Sequence, residues 1–331
     1  MKAILLSAGF GTRFRPHTNT IAKPAIPFLN LPLIAYSINY ASKWSCSDII
    51  INTHHLPESI SSCVAKLSSN LNCDIHYLNE TPNILDSGGG IKNAESYLNS
   101  NDNFLVFNTD IPHILPNIDF KQIEAQHIKS NSLVTFLTCN LNDLGTKIKG
   151  IWTKENSNSV MDIGLGPKEN LICKHYIGIM LISKKLFKLQ PTYKPHNIIY
   201  DVILPALNNG HQVSTFHINN LKWFETGNLD SYLDASFDAL DQLIDNPESL
   251  FSQELKIIFK TFNLNNVATK ASKYKIIYNN LLNPGLNTNH LSGSIVLGEN
   301  INLTNTKSLC NSVIYSTPPQ SDFSLNRRLV L

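Results

Sequence analysis

Ala3-Ile4-Leu5-Leu6-Ser7-Ala8-Gly9-Phe10-Gly11-Thr12-Arg13-Phe14-Arg15-Pro16, followed after six residues by Lys23-Pro24-Ala25-Ile26-Pro27, is the stretch on which the fold turns. The apolar run 3–7 has the length and character of a short buried strand. It breaks into a loop where Gly9 and Gly11, lacking a Cβ, let backbone N–H groups come close to an anion. Arg13 adds a planar fork suited to a polyphosphate, and Lys23 a mobile point charge. Such an array can stabilise negative charge as it develops. G-x-G alone more often marks an ordinary turn beside surface bases. The spacing is not that of a G-x-x-x-x-G-K-[ST] loop. Phe14 occupies the place of the third glycine in a dinucleotide-binding loop, and the region twenty residues on is apolar and basic rather than acidic.

Working outward, apolar runs at 48–53, 73–78 and 104–108 read as further strands, and 32–44, 57–67 and 90–98 as the helices between them. Strands alternating with helices predict a mostly parallel sheet covered on both faces, with ligands at the edge where the strand-end loops emerge. Beyond about residue 130 the pattern changes. Strands are predicted at 133–139, 149–153, 172–182, 212–217 and 221–224, and helices at 198–207 and 229–244. From about 274 only short apolar pairs remain, set among Asn, Gly and Ser. The predicted organisation is a main domain over 1–244, a helical linker over 245–273 and a small β-rich domain over 274–331.

The composition narrows the class. The apolar share of 42% is that of a globular chain, and a net charge of +2 without a Lys/Arg cluster argues against a nucleic-acid partner. The six cysteines form no C-x-x-C pair, which argues against a zinc site or a disulfide framework and suits a reducing, cytoplasmic setting. No stretch approaches the roughly 20 apolar residues of a membrane span. The N-terminal apolar run is short and meets Gly9, Gly11 and Arg13, so it is read as a strand and not as a leader.

Leu6 to Pro16 with Lys23-Pro24 resembles the signature of the sugar-1-phosphate nucleotidyltransferases, L-x-A-G-x-G-T-R-x-x-P followed by K-P, with Ser7 where Ala is common. The resemblance implies a Rossmann-like sheet flanked by helices, of the nucleotide-diphospho-sugar transferase type. It casts Arg13, Lys23 and Asp110 as catalytic, and Leu6, Ala8, Gly9, Gly11 and Thr12 as nucleotide-binding. Asp110, just past the strand 104–108, looks like the principal Mg²⁺ ligand. Glu225 in Trp223-Phe224-Glu225-Thr226-Gly227 stands where the family has the second, an Asp. The run Asp86-Ser87-Gly88-Gly89-Gly90-Ile91 resembles the glycine loop that closes on the base, which brings in Gly88 and Gly89. Asp86 replaces a Gly usual in guanylyltransferases, and an acidic residue there is similar to N-acetylmuramate-1-phosphate uridylyltransferases. Glu80 facing the base would favour guanine, because a carboxylate only accepts hydrogen bonds. Tyr176 and Gly178 resemble a sugar-contacting Y-x-G, and Asp201 is expected to position the sugar or cap a helix. His54 and His55 are adjacent on extended chain and point apart, which argues against a shared metal.

The expected substrates are therefore GTP and mannose 1-phosphate. Two alternatives stay open: UTP with an N-acetylated sugar 1-phosphate such as N-acetylmuramate 1-phosphate, and a non-catalytic sugar-nucleotide-binding regulator. The segment 293–315 resembles a degenerate left-handed β-helix of one or two turns. A coil so short needs cover, from the main domain or from a second subunit in a homodimer.

Overall fold

The computed structural model describes residues 1–67, 71–192, 194–279, 289, 291–298, 301, 303, 306–315 and 323–331. From the N-terminus, β1 (Lys2–Leu6) leads to a two-strand ribbon, β2 (Pro27–Phe28) and β3 (Leu31–Pro32), and to α1 (Leu33–Lys43). There follow β4 (Asp48–Thr53), α2 (Pro57–Leu67), β5 (Asp74–Asn79), α3 (Asp86–Asn93), α4 (Glu95–Leu98) and β6 (Asn103–Asn108). The second half adds α5 (Phe120–Lys129), β7 (Val134–Cys139), β8 (Gly150–Lys154), β9 (Val160–Gly164) and β10 (Leu171–Ser183). It ends with α6 (Leu204–Asn208), β11 (Val213–His217), α7 (Leu229–Asp245) and α8 (Leu250–Thr261).

The main sheet runs β11-β7-β10-β6-β1-β4-β5. All neighbours are parallel except β10, which is antiparallel to both β6 and β7. Strands covered on both faces read as continuous apolar runs, and their period of two divides the core. Ala3, Leu5, Ile49, Ile51, Leu105 and Phe107 pack on the face covered by α1, α2, α7 and α8. Ile4, Ile50, Phe104 and Val106 pack with Ile91, Ala94 and Leu98 on the other. The register sets Leu6 opposite Asn52 and Asn108, and Asn52 opposite Leu78. The loops after β1, β4, β5 and β6 therefore leave from one edge.

Two expectations are corrected. Residues 221–224 form no strand; Phe224 instead buries its ring against Phe28 and Phe251, and burial without a ladder partner looks the same in sequence. The expected helix at 198–207 opens as a π-turn over Ile198–Ile203 before α6.

The C-terminal part is a second sheet: β12 (Asn266–Lys270), β13 (Tyr274–Asn279), β14 (Leu291–Leu297), β15 (Thr306–Ile314), β16 (Phe323–Asn326) and β17 (Leu329–Val330). After the β12–β13 hairpin, each strand stacks parallel on the one before, with β16 and β17 sharing the last level beside β15. These are four rungs, more than the one or two turns expected. The sheet also begins at Asn266, inside the stretch read as linker. Ile277, Val296, Val313 and Leu329 stand opposite one another in register and join the main core with α7 and α8. Ile276, Ile295, Leu297 and Ile314 face the other way, into a small core of their own. The main domain thus supplies the cover that so short a coil requires.

His113 and His127 are each 2% exposed, and burial lowers both imidazoles from 6.5 to about 4. Between those values the unfolded chain holds protons that the folded chain refuses, so folded stability falls as pH drops from about 6.5 towards about 4. For two such groups the steepest slope is about 2.7 kcal/mol per pH unit. Urea unfolding at a series of pH values should show this loss, and a midpoint unchanged across that window would contradict it.

Candidate active site

At the loop edge of the sheet, one cleft is lined by Leu6, Ala8, Gly9, Gly11, Thr12, Arg13, Lys23 and Asp110. Gly11 has φ +60°, and a Cβ there would lie 2.9 Å from Thr18 Cγ2 and 3.2 Å from Lys23 Cβ. Its carbonyl accepts from Phe14 N at 2.9 Å and from Thr18 Oγ1 at 2.9 Å, which closes the loop. Gly9 has open space where a side chain would stand. Lys23 follows on a 3-10 turn, its stem buried and its ammonium 5.4 Å from the Phe14 ring centre. Lys23 Nζ meets Asp110 Oδ2 at 2.8 Å, with the lysine side chain 6% exposed and the aspartate 40%. A nearly buried ammonium is thus paired with a carboxylate that still faces the cleft.

Asp110 emerges just past β6. Thr226 Oγ1 donates to the Asp110 carbonyl at 2.6 Å, tying the 225–227 segment to the same corner. Gly227 reaches the cleft wall, where a Cβ would lie 3.0 Å from Arg13 Nη1. Glu225 is exposed beside the cleft, with Oε1 accepting from Gly227 N at 2.5 Å. No cluster of three or more His, Cys, Asp or Glu placed to hold a metal occurs among the described residues. A hard cation bound here would rest on these two carboxylates, completed by phosphate and water oxygens, a donor set that fits Mg²⁺.

Beneath the cleft runs a chain of buried polar contacts. Thr109 Oγ1 donates to Leu6 O at 2.7 Å and meets Ser7 Oγ at 3.0 Å, so the hydroxyl at this position has a partner. Ser7 N donates to Asn52 Oδ1, Asn52 Nδ2 to Glu80 Oε1, and Leu85 N to Glu80 Oε2, each at 2.7 Å. Glu80 is 1% exposed; burial raises its carboxyl above the usual range, while the Leu85 N–H and the Asn52 amide draw it back. Both its oxygens are taken inside the protein, and it does not line the cleft. Asn52, Asn108 and Thr109 line the cleft without a binding role expected from the sequence, and Asp86 and Ser87 line it from the run expected to close on the base. Their one signal is position: polar residues at the ends of apolar strands, or at the start of a helix.

Gly88 and Gly89 also lie away from the cleft. They form the first turn of α3, and both amides donate to His196 O, at 2.8 and 3.3 Å. A Cβ on Gly88 would fall 2.3 Å from the His196 ring, and one on Gly89 2.8 Å from Leu85 Cβ. These glycines serve helix packing, and their N–H groups are already taken. Gly178 has φ +89° at a bulge in β10, where a Cβ would meet Ile111 at 2.8 Å. The backbone alone demands that glycine. Asp201 Oδ2 accepts from Asn197 N at 2.7 Å, a local cap. Tyr176 packs edge-on to Phe136; its hydroxyl is buried without a partner among the described residues, and burial, then the Asp110 carboxylate, raise its pKa. His54 and His55 donate to different carbonyls, of Glu80 and Thr18.

A mostly parallel sheet flanked by helices, with the glycine loop and the Lys23–Asp110 pair at its loop edge, is the nucleotide-diphospho-sugar transferase fold. A putative glucose-1-phosphate thymidylyltransferase from Bacillus anthracis, solved in complex with a sucrose, matches it with a TM-score of 0.59 at 20% identity, covering 71% of this chain and 94% of that one. The nucleotidyl transferase family model matches residues 2–242, and the chain belongs to that family. It is 28% identical over 238 residues to the mannose-1-phosphate guanyltransferase of Aspergillus fumigatus, covering 70% of this chain and 62% of that protein. It is 25% identical over 234 residues to the mannose-1-phosphate guanylyltransferase catalytic subunit beta of Dictyostelium discoideum, covering 70% and 63%. The chain thus spans less than two thirds of the length of these relatives.

Proposed function

We propose that the protein transfers a nucleotidyl group from GTP to mannose 1-phosphate, giving a nucleotide sugar and pyrophosphate. The observation that carries this is the meeting of the glycine loop, Arg13, and the Lys23–Asp110 pair in one cleft of a nucleotidyl transferase domain. The relatives named as mannose-1-phosphate guanyltransferases supply the choice of substrates.

On this reading the glycine loop admits the triphosphate beside Arg13, and Lys23 neutralises an oxygen of the phosphorus under attack. The sugar phosphate approaches in line with the departing pyrophosphate, and positioning and charge neutralisation provide the rate. Asp110, with Glu225, would hold Mg²⁺, which supplies further neutralisation of the phosphate oxygens when bound. The unpartnered Tyr176 hydroxyl beside Asp110 supports placing the sugar on that side. Six free cysteines suit a reducing compartment, and no helix among the described residues is long and apolar enough to cross a membrane.

Pyrophosphate release from GTP, UTP, dTTP, ATP and CTP with a panel of sugar 1-phosphates tests the proposal. Release with GTP and mannose 1-phosphate is expected. Release with UTP and an N-acetylated sugar 1-phosphate would replace both substrates and keep the chemistry. Tight binding of a nucleotide sugar without turnover on any pair would make the protein a regulator.

A further inference from the structure

The sheet order places the end of β4 between the loops that follow β1 and β5. His54 and His55 stand there, just past Thr53, and bond to opposite sides. His54 Nδ1 donates to Glu80 O at 2.6 Å, on the β5 side. His55 Nε2 donates to Thr18 O at 2.6 Å, on the β1 side. Each acceptor is a carbonyl, so each bond fixes which ring nitrogen carries the proton. Neither histidine lines the cleft, and the proposed transfer uses neither.

Both rings bear instead on the glycine loop. Gly9 and Gly11 line the cleft, and Phe10 between them does not. The Phe10 ring lies against His54, with centres 5.3 Å apart and planes at 86°, and against His55 at 5.7 Å and 53°. Phe10 is 41% exposed and belongs to neither core of the main domain, so its ring is a clasp on the outer side of the loop. Thr18 carries a second tie. It is 1% exposed, accepts from His55 through its carbonyl and donates its hydroxyl to Gly11 O at 2.9 Å. A third tie comes from α2: Ala22 N, next to Lys23, donates to Ser59 Oγ at 3.0 Å, and Ser59 Oγ donates to Leu56 O at 2.8 Å. The segment 54–59 thus holds the loop at Phe10, Thr18 and Ala22, and His55 serves the first two.

We infer that His55 is a positioning residue for the phosphates, bracing the glycine loop from outside the cleft through Thr18 and through the ring of Phe10. Backbone N–H groups bind an anion best when they are already aimed at it. A loop that must be ordered as the phosphates arrive loses affinity to that ordering. His55 acts through Gly11 and Phe10 and not on the reacting atoms. The inference rests on the proposed reading of the glycine loop as the phosphate site, and its test uses binding, which needs no turnover.

Equilibrium binding of GTP, UTP and pyrophosphate is measured for the wild-type chain and for His55→Gln, His55→Asn and Phe10→Ala, beside the thermal midpoint of each. Pyrophosphate carries no base, so it reports on the loop whichever nucleotide is preferred. The amide nitrogen of Gln lies as many bonds from Cβ as Nε2 of histidine does, and that of Asn falls short. His55→Gln can therefore keep the bond to Thr18 and should bind all three ligands within about twofold of wild type. His55→Asn should weaken all three by roughly five- to tenfold, the scale of one lost hydrogen bond. Phe10→Ala should weaken them by roughly the same factor, the scale of a lost aromatic pair, although its ring lies outside the cleft. A bond with only a structural role would lower the thermal midpoint of His55→Asn and leave the affinities of the folded protein unchanged. That result would overturn the inference, as would equal losses in His55→Gln and His55→Asn, or a wild-type chain that binds none of the three. Turnover of GTP with mannose 1-phosphate by the wild-type chain, measured alongside, decides the nucleotidyltransferase reading separately. Pyrophosphate affinity that falls in His55→Asn and returns in His55→Gln would uphold the inference even in a protein without turnover.

Discussion

Asp110→Asn is expected to lower turnover at least roughly a hundredfold, the loss typical of removing one preorganised charge-stabilising group, while nucleotide binding measured without metal is kept or strengthened. In the free protein Asp110 holds the ammonium of Lys23 at 2.8 Å, so arriving phosphate oxygens must compete with a carboxylate for that charge. An amide of the same shape removes the competitor and also removes a negative charge that repels phosphate. What it cannot do is ligate a hard cation as a carboxylate does. The variant should therefore separate affinity from rate. The side chain is 40% exposed, so the fold should tolerate the change. Turnover within a few fold of wild type in the folded variant would remove Asp110 from the chemistry.

Lys23→Ala should give the opposite signature: turnover at least roughly a hundredfold lower and nucleotide affinity weakened by roughly ten- to a hundredfold, as a charge-assisted contact to phosphate is lost. The ammonium is nearly buried, lies over Phe14 and has its course fixed by the short turn that begins at Lys23. That confinement is also why Lys23→Arg should fail to rescue, since a planar fork needs width that a buried point charge does not. Binding and initial-rate measurements on both variants decide the matter, and a Lys23→Ala protein with wild-type affinity would contradict the role.

Much of this was legible in the sequence because it is local. The apolar runs around Ile4, Ile50 and Val106 define strands without reference to anything distant, and the loop from Gly9 to Arg13 carries its own chemistry. Asp110 stood out through its place just past β6. The remainder depends on which distant groups meet. Glu80 turns inward because Asn52, 28 residues earlier, is brought beside it by the β4–β5 register. Gly88 is crowded by His196, which arrives against α3 from far along the chain, and Gly89 by Leu85 and the Lys194 carbonyl. Gly178 answers a bulge, and a bulge leaves no mark in hydrophobic periodicity. The C-terminal rungs were underestimated because each contributes only a few apolar residues to each face, and it is their stacking in register that makes them a core.

On the proposed reaction the bond broken lies between the α- and β-phosphates of the nucleotide. The direct measurement is the fate of a radioactive phosphorus placed at the α or the γ position of GTP, incubated with mannose 1-phosphate, Mg²⁺ and the protein. Label from the α position is expected in the nucleotide sugar, with γ label recovered wholly in pyrophosphate. Label from the γ position in a sugar product, or no transfer from the α position with any nucleotide and sugar phosphate, would contradict the claim.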